Sequence, residues 1–317
     1  MEQFKGMIYL MGAFTLAGTS VIAARFVSGH LGTFTITAIS LLFAILALLP
    51  LCRSNLRKTL QQMSARDWVT LLLQATFGIF LFRMFLLQGL LYTSSGEAGV
   101  LTGATPAATA LFARFLLKEP LYKKSLFGIF STIIGILLLQ GILLPGNALT
   151  MNHVIGNILV LCAAVCESLF NILSRISSLR IVAARSLPIN PIVQTILVSG
   201  IALLLCLIPS LFEHPVLSLM SLGIKEWLAL GWYGLFVTAL AFIFWYAGIK
   251  RCTAYTAAAF SGMMPLTSLV LSVLILGERV ALHQWSGGLL VVFGMLLIGG
   301  CQVNLQQTRL LSISASK

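Results

Sequence analysis

Two charges stand inside stretches that are otherwise apolar. Arg83 lies in QATFGIFLFRMFLLQGLL and Glu167 in VLCAAVCESLFNIL. A buried guanidinium offers a planar fork that suits a carboxylate. A buried carboxyl can meet an ammonium group or carry a proton, because burial disfavours its ionised form. Glu97 opens the apolar run that follows Arg83, so in depth Arg83 falls between two acids. It could pair with Glu97 and fix two helices together, or leave its fork free for a substrate carboxylate. Asn171 follows Glu167 by one helical turn on the same face, where its amide can orient a substrate or bond a neighbouring helix. Gln88, Ser20 with Thr19, and Met263 with Met264 are further candidates to line such a site. Trp245 and Tyr246 suit either a ligand contact or an anchor in the headgroup layer.

Other chemistries find no support. Asp67 is the only Asp, HExxH and CxxC are absent, and no two of His30, His153, His214 and His283 share a metal-ligand spacing. The four histidines fall on outer loops or run ends, where solvated residues or sensors of external pH are expected. An intramembrane protease would need a Ser with a His at depth, or two Asp. The expectation is therefore no enzyme, no cofactor and no metal. The 20 basic residues are spread between apolar runs rather than gathered into a patch, so nucleic acid is not an expected partner either.

The elements that must hold these residues follow from composition. Of 317 residues 59% are apolar and 9% charged, with a mean hydropathy of +1.02. A soluble domain carries about 25% charge, whereas a bilayer-crossing helix needs roughly 20 apolar residues. Apolar runs at 6–28, 31–51, 68–92, 97–117, 122–144, 153–175, 187–211, 226–249, 254–276 and 283–302 predict ten spans. Placing the N-terminus in the cytoplasm puts sixteen of the 20 Lys and Arg on the inner side and three outside, with Arg83 alone in a span. That asymmetry orients the chain. The first run is longer than a signal-peptide core and is read as a retained span. Cys162, Cys166, Cys206 and Cys301 fall inside runs as small packing residues.

The chain also repeats itself. An offset of 159 places Gly89 on Gly248, Gly103 on Gly262, Pro106 on Pro265, Glu119 on Glu278, Gly128 on Gly287 and Gly135 on Gly294. Each half carries five spans, an odd number, so the second must enter the membrane inverted. Such repeats are characteristic of secondary transporters with a site near mid-membrane. The recurring pattern, a Pro followed by Leu117-Lys118-Glu119-Pro120 or Leu276-Gly277-Glu278-Arg279 and then two Gly, resembles the tandem EamA-type repeats of the drug/metabolite transporter superfamily. The resemblance covers about 6–140 and 154–300. It implies an all-α membrane protein of ten helices with both termini cytoplasmic, whose spans one, three, four, six, eight and nine surround a central cavity. The expected units are 6–144 and 153–302, followed by a cytoplasmic tail at 303–317. The implied activity is alternating-access export of small metabolites across the cell membrane.

The repeat sorts the polar residues. Those in both halves belong to the fold: Glu119 and Glu278, each expected at the positive end of the helix it opens, and Pro106 and Pro265, read as mid-span kinks that serve as hinges or only set shape. Gly99-x-x-x-Gly103 and Ala258-x-x-x-Gly262 are seams for close helix approach, internal or, alternatively, in a homodimer. Those in one half are candidates for function. Arg83 faces Phe242 and Glu97 faces Thr256 at the 159 offset, and Glu167 faces Ala17 at a second offset of 150. An acid and a base at depth fit a zwitterion, so the leading expectation is an exporter of amino acids or related zwitterions, coupled to protons through Glu167. A rival is an exporter of cationic or amphipathic drugs using Glu167 with Phe80, Phe82, Phe85 and Phe260. A third is a membrane ligand sensor without transport.

Overall fold

The computed structural model describes residues 2–116, 123–139, 151–183, 189–252, 257, 260–261 and 263–297. Glu119, Ala258, Gly262, Cys301 and the tail fall outside these residues. Helices α1 (Glu2–Val27), α2 (Thr33–Gln62), α3 (Ala65–Gly89), α4 (95–116) and α5 (Lys123–Leu139) come first. Then follow α6 (Met151–Ala183), α7 (Pro191–Leu211), α8 (Ile224–Ile249), α9 (Met263–Leu276) and α10 (Leu282–Leu297). A short helix at Pro215–Met220 joins α7 to α8. Six of these, α1, α2, α3, α6, α7 and α8, are long and apolar enough to cross a membrane, and α9 and α10 are shorter apolar helices. No strand occurs among the described residues.

Polar residues set the helix ends. Ser64 and Asp67 form a reciprocal capping box that opens α3. Ser94 caps the first turn of α4, and Asn190 caps α7 ahead of Pro191 in its first turn. Two helices outrun their apolar segments: α2 passes Pro50 and a non-helical Cys52 into a polar extension, and α6 continues beyond Ser177. Large apolar side chains remain on the outside, with Phe115 75% and Leu274 74% exposed, as the hydrocarbon of a bilayer permits.

The two halves meet in matching ways. A Cβ on Gly89 (α3) would lie 2.9 Å from the Gly156 carbonyl oxygen (α6), and one on Gly248 (α8) 3.3 Å from that of Gly6 (α1). A Cβ on Gly135 (α5) would lie 2.7 Å from the Gly287 carbonyl oxygen, and one on Gly294 (α10) 2.5 Å from that of Gly128. Each pair maps onto the other under the sequence offsets, and neither crossing has room for a side chain. The same relation holds for a backbone feature that composition does not announce. Both α3, at Thr76–Leu81, and α8, at Tyr233–Leu240, widen into a π-helical stretch, a form that concentrates at functional sites.

The paired prolines correct one expectation. Pro265 is not in mid-helix, whereas Pro106 is at the centre of α4. Pro106 stands in the first turn of the α-helical segment of α4 that follows a 3₁₀ turn at Thr102–Ala104, and Pro265 in the first turn of α9. At the start of α9 the missing N–H of proline has no intrahelical partner to lose; in α4 Pro106 cannot donate to the Thr102 carbonyl, which accepts from the Thr105 N–H in the 3₁₀ pattern instead. The break in α4 is the 3₁₀ turn itself. The Gly99 seam packs internally, its Cβ position facing Ser268 on α9, and Gly103 faces Val291 on α10.

The His153 end holds the α3–α4 link, where Arg25 donates to the Leu90 carbonyl at 2.5 Å. At the Lys250 end, Lys250 donates to the Ile189 carbonyl.

Candidate functional site

A cavity of about 670 Å³, its open mouth included, lies between α1, α3, α6, α8 and α9. Its wall is aromatic, with Phe14, Phe82, Phe170, Phe242, Tyr233 and Trp245, and Phe170 packs against the rings of Phe242, Trp245 and Tyr246. Into this apolar wall the fold sets Arg83, Glu167, Asn171 and Ser20. Met264 lines it too, while Met263 packs beside the adjoining cluster of Leu10, Phe14, Phe170 and Trp245. Trp245, 8% exposed, is a wall residue and not an interfacial anchor.

Arg83 follows directly on the π-helical stretch of α3 and is 3% exposed. Its guanidinium donates to Ser40 Oγ on α2 at 2.7 Å and to Thr238 Oγ1 on α8. It also sits 4.3 Å from the centre of the Tyr233 ring, a cation–π contact. Both hydroxyls already donate to backbone carbonyls, Ser40 to Thr37 at 2.9 Å and Thr238 to Tyr233 at 2.8 Å. Their oxygens are thereby turned to accept from Arg83. The Thr238 bond reaches back five residues, which the π-helical stretch makes available. Neither Ser40 nor Thr238 was marked by the sequence, since helical Ser and Thr routinely bond their own backbone.

The anticipated Arg83–Glu97 ion pair is not formed. Glu97 accepts instead from His153 Nε2 at 2.7 Å, Thr93 Oγ1 at 2.9 Å and Gln284 Nε2 at 2.5 Å, at the His153 end. Among the described residues no carboxylate pairs with Arg83. The reason is depth: by helical rise, Arg83 lies about 9 Å below the Gly89 level, whereas Glu97 is tied at the helix end. His153, expected on a solvated loop, is correspondingly part of an interhelical network. Gln88 is also away from the cavity, donating to Thr33 Oγ1 at 2.9 Å.

Glu167 accepts from Thr105 Oγ1 on α4 at 2.8 Å. Measured from the shared Gly89–Gly156 crossing, the α-carbons of Arg83 and Glu167 differ in depth by about 7–8 Å at 1.5 Å per residue. One small molecule bearing both signs can span that gap between two long side chains. Three buried polar groups on the wall, Ser20 Oγ, the Tyr233 hydroxyl and Trp245 Nε1, have no hydrogen-bond partner among the described residues. Buried groups of this kind are ordinarily satisfied, and all three belong to residues that line the cavity.

Glu278 is structural but not where the repeat suggested. It accepts from the backbone N–H of Ser95 at 3.0 Å and Gly96 at 2.9 Å. It therefore neutralises the N-terminus of α4, from the other half of the chain, and not that of α10.

Comparison with known proteins agrees with this architecture. The EamA-like transporter family matches residues 4–140 and again 154–300. The uncharacterized transporter YetK of Bacillus subtilis is 28% identical over 294 residues, 93% of this chain and 86% of its own. The aromatic amino acid exporter YddG of Ancylobacter novellus is 26% identical over 226 residues, 71% of this chain and 72% of its own. A solved crystal structure at 21% identity shares the fold, with a TM-score of 0.62 over 96% of this chain and 98% of that one.

Proposed function

The chain belongs to the EamA-like transporter family, and on that premise we propose that it is a secondary-active exporter of amino acids or related zwitterions. It is a multi-pass cell-membrane protein and a transporter, as its relatives are. In our reading the chain crosses ten times as two inverted five-helix repeats, 6–144 and 153–302. Both termini are cytoplasmic, so the His153 end faces outward. Alternating access presents the cavity to each side in turn.

One observation carries the substrate class. Arg83 is a buried cation with no acidic partner among the described residues, opening on a cavity that also holds Glu167. A charge at depth costs at least about 2.5–3.5 kcal/mol on insertion scales. Two hydroxyls and one ring soften that cost without neutralising the charge. A substrate carboxylate supplies the missing countercharge, and its ammonium meets Glu167 and Asn171. The six aromatic rings then favour a large apolar or aromatic side chain over a small polar one. The name of the YddG exporter is consistent with that preference. Glu167 is also the group we assign to a coupling proton, and Pro106 and Pro265 mark where α4 and α9 bend during the cycle.

The aromatic wall supports one other reading, export of cationic amphipathic drugs, which needs Glu167 and the rings but no Arg83. The two readings separate in the medium of cells overexpressing the wild type or Glu167→Gln at matched protein level. Accumulation of a few amino acids outside with the wild type alone supports amino-acid export. No change in either culture, with raised drug resistance in the wild type, overturns it in favour of drugs.

A further inference from the structure

His153, Asn157 and Glu97 make up a cluster that the substrate cavity does not use. His153 Nε2 lies 2.7 Å from Glu97 Oε2, and Asn157 Nδ2 lies 3.4 Å from His153 Nδ1. So drawn, Asn157 donates to Nδ1 and the imidazole is neutral with its proton on Nε2. The arrangement leaves Asn157 Oδ1 buried and without a partner, in a residue only 2% exposed. A half-turn of that amide exchanges donor for acceptor. Oδ1 then receives a second imidazole proton on Nδ1, while Nε2–H stays on the carboxylate. The site thus contains, in place and unused, the acceptor that a protonated His153 requires.

We propose that His153, Glu97 and Asn157 form a proton-binding site at the outer mouth, and that its occupancy holds α4 against the second half of the chain. Orientation of that mouth rests on the transport reading above. Glu97 sits in the first turns of α4 and takes hydrogen bonds from α6 through His153 and from α10 through Gln284. Directly beneath lies the 3₁₀ turn at Thr102–Ala104, then Thr105, which bonds Glu167. The clasp and the deep carboxylate therefore act on the same helix, on either side of its break. Protonation turns the contact to the Glu97 carboxylate into an ion pair and the contact to Asn157 into a charge-assisted hydrogen bond, and both become stronger. Acid outside tightens the clasp and base loosens it.

Other charges face the cluster. Glu278 and Arg279 share a cavity of about 380 Å³ with Glu97 and Gln284. Tyr92 lies against Gly156, Arg25 is engaged with the Leu90 carbonyl, and His283 begins α10 beside Gln284. Glu278 is held by two backbone N–H groups. Among the described residues His153 alone pairs an ionisable ring with an unused acceptor. Under the repeat offsets the equivalent positions are Gln3, Met7 and Thr256, none of them ionisable, so the repeat does not reproduce this set of residues.

Leu269 reports the clasp. It lines the same 380 Å³ cavity, is 3% exposed, and lies close to Gly96 of α4. The test labels Leu269→Cys in vesicles from outside with an impermeant maleimide, normalised at each pH to Leu282→Cys, a site 88% exposed. Normalised labelling should rise about threefold or more from about pH 5.5 to about pH 8, the range in which histidine titrates. His153→Gln still donates to Glu97 but holds no extra proton, and should flatten the profile; so should Asn157→Met. A flat profile in the His153-containing protein, or an unchanged slope in His153→Gln, overturns the proposal. Labelling needs no substrate, so its failure is distinct from failure of the amino-acid reading.

Discussion

Replacing Arg83 with Gln removes the one buried cation from the cavity while keeping an amide that can donate to Ser40 Oγ. Hydrogen bonds to a charged partner contribute about 1.5–3 kcal/mol, and each 1.4 kcal/mol is about tenfold in affinity. If a substrate carboxylate occupies the fork, half-saturation for an aromatic zwitterion should rise roughly 10- to 150-fold. The same aromatic compound without its carboxylate, a simple arylalkylamine, makes no use of the fork. Its interaction with the cavity should change by less than about threefold, since only the ring wall and Glu167 hold it. The assay is competition: inhibition of labelled amino-acid flux in proteoliposomes by zwitterion and by amine, in wild type, Arg83→Gln and Arg83→Lys. Lys keeps the charge but loses the planar fork and should fall between them. Melting curves in detergent verify that the variants fold. Equal losses for zwitterion and amine would refute the assignment, because a deformed cavity loses both. An unaffected zwitterion would refute it as well.

Further expectations follow from individual contacts. Thr238→Val with Ser40→Ala frees the guanidinium without removing it, so zwitterion affinity should fall several-fold while Thr238→Ser restores it, as titration of flux against concentration would show. Thr105→Val withdraws the hydroxyl from Glu167 and should slow coupled transport by roughly 2- to 12-fold, the equivalent of about 0.5–1.5 kcal/mol, measured at fixed pH gradient. Gly135→Val drives a side chain onto the Gly287 carbonyl and should destabilise the protein by about 1–3 kcal/mol, visible as a lower Tm. At the Lys250 end of the bundle, burial and the neighbouring Arg251 hold Lys250 down to about 8. Its folded value lies below the unfolded one, so the unfolded chain binds the extra proton between about pH 8 and about pH 10.4, and stability rises with pH there. In Lys250→Met that increment should vanish from thermal melts taken across this range.

How far the sequence goes can be read from particular residues. Arg83 and Glu167 were legible because a charge in an apolar run is costly and because each lacks a counterpart in the other half. That they share one cavity is consistent with such reasoning, and Asn171, Ser20 and Trp245 join them there. What could not be read is which faces meet. The offset shows that α3 corresponds to α8, yet nothing in it brings Thr238 to Arg83 or His153 to Glu97. Hydroxyls leave no pattern, since Thr238 serves its own helix and Arg83 at once. The position of Glu278 under α4 likewise depends on packing between halves. The two π-helical stretches have no compositional mark at all; only the folded backbone shows that they recur at the same place in each repeat.

The most direct test of the account is flux of a labelled aromatic amino acid through purified protein in proteoliposomes, with and without an imposed pH gradient. Wild type should move the zwitterion, faster when protons run the opposite way, and Glu167→Gln should abolish the acceleration. Binding of the amino acid with no flux in either condition would contradict transport altogether and leave a ligand sensor in its place.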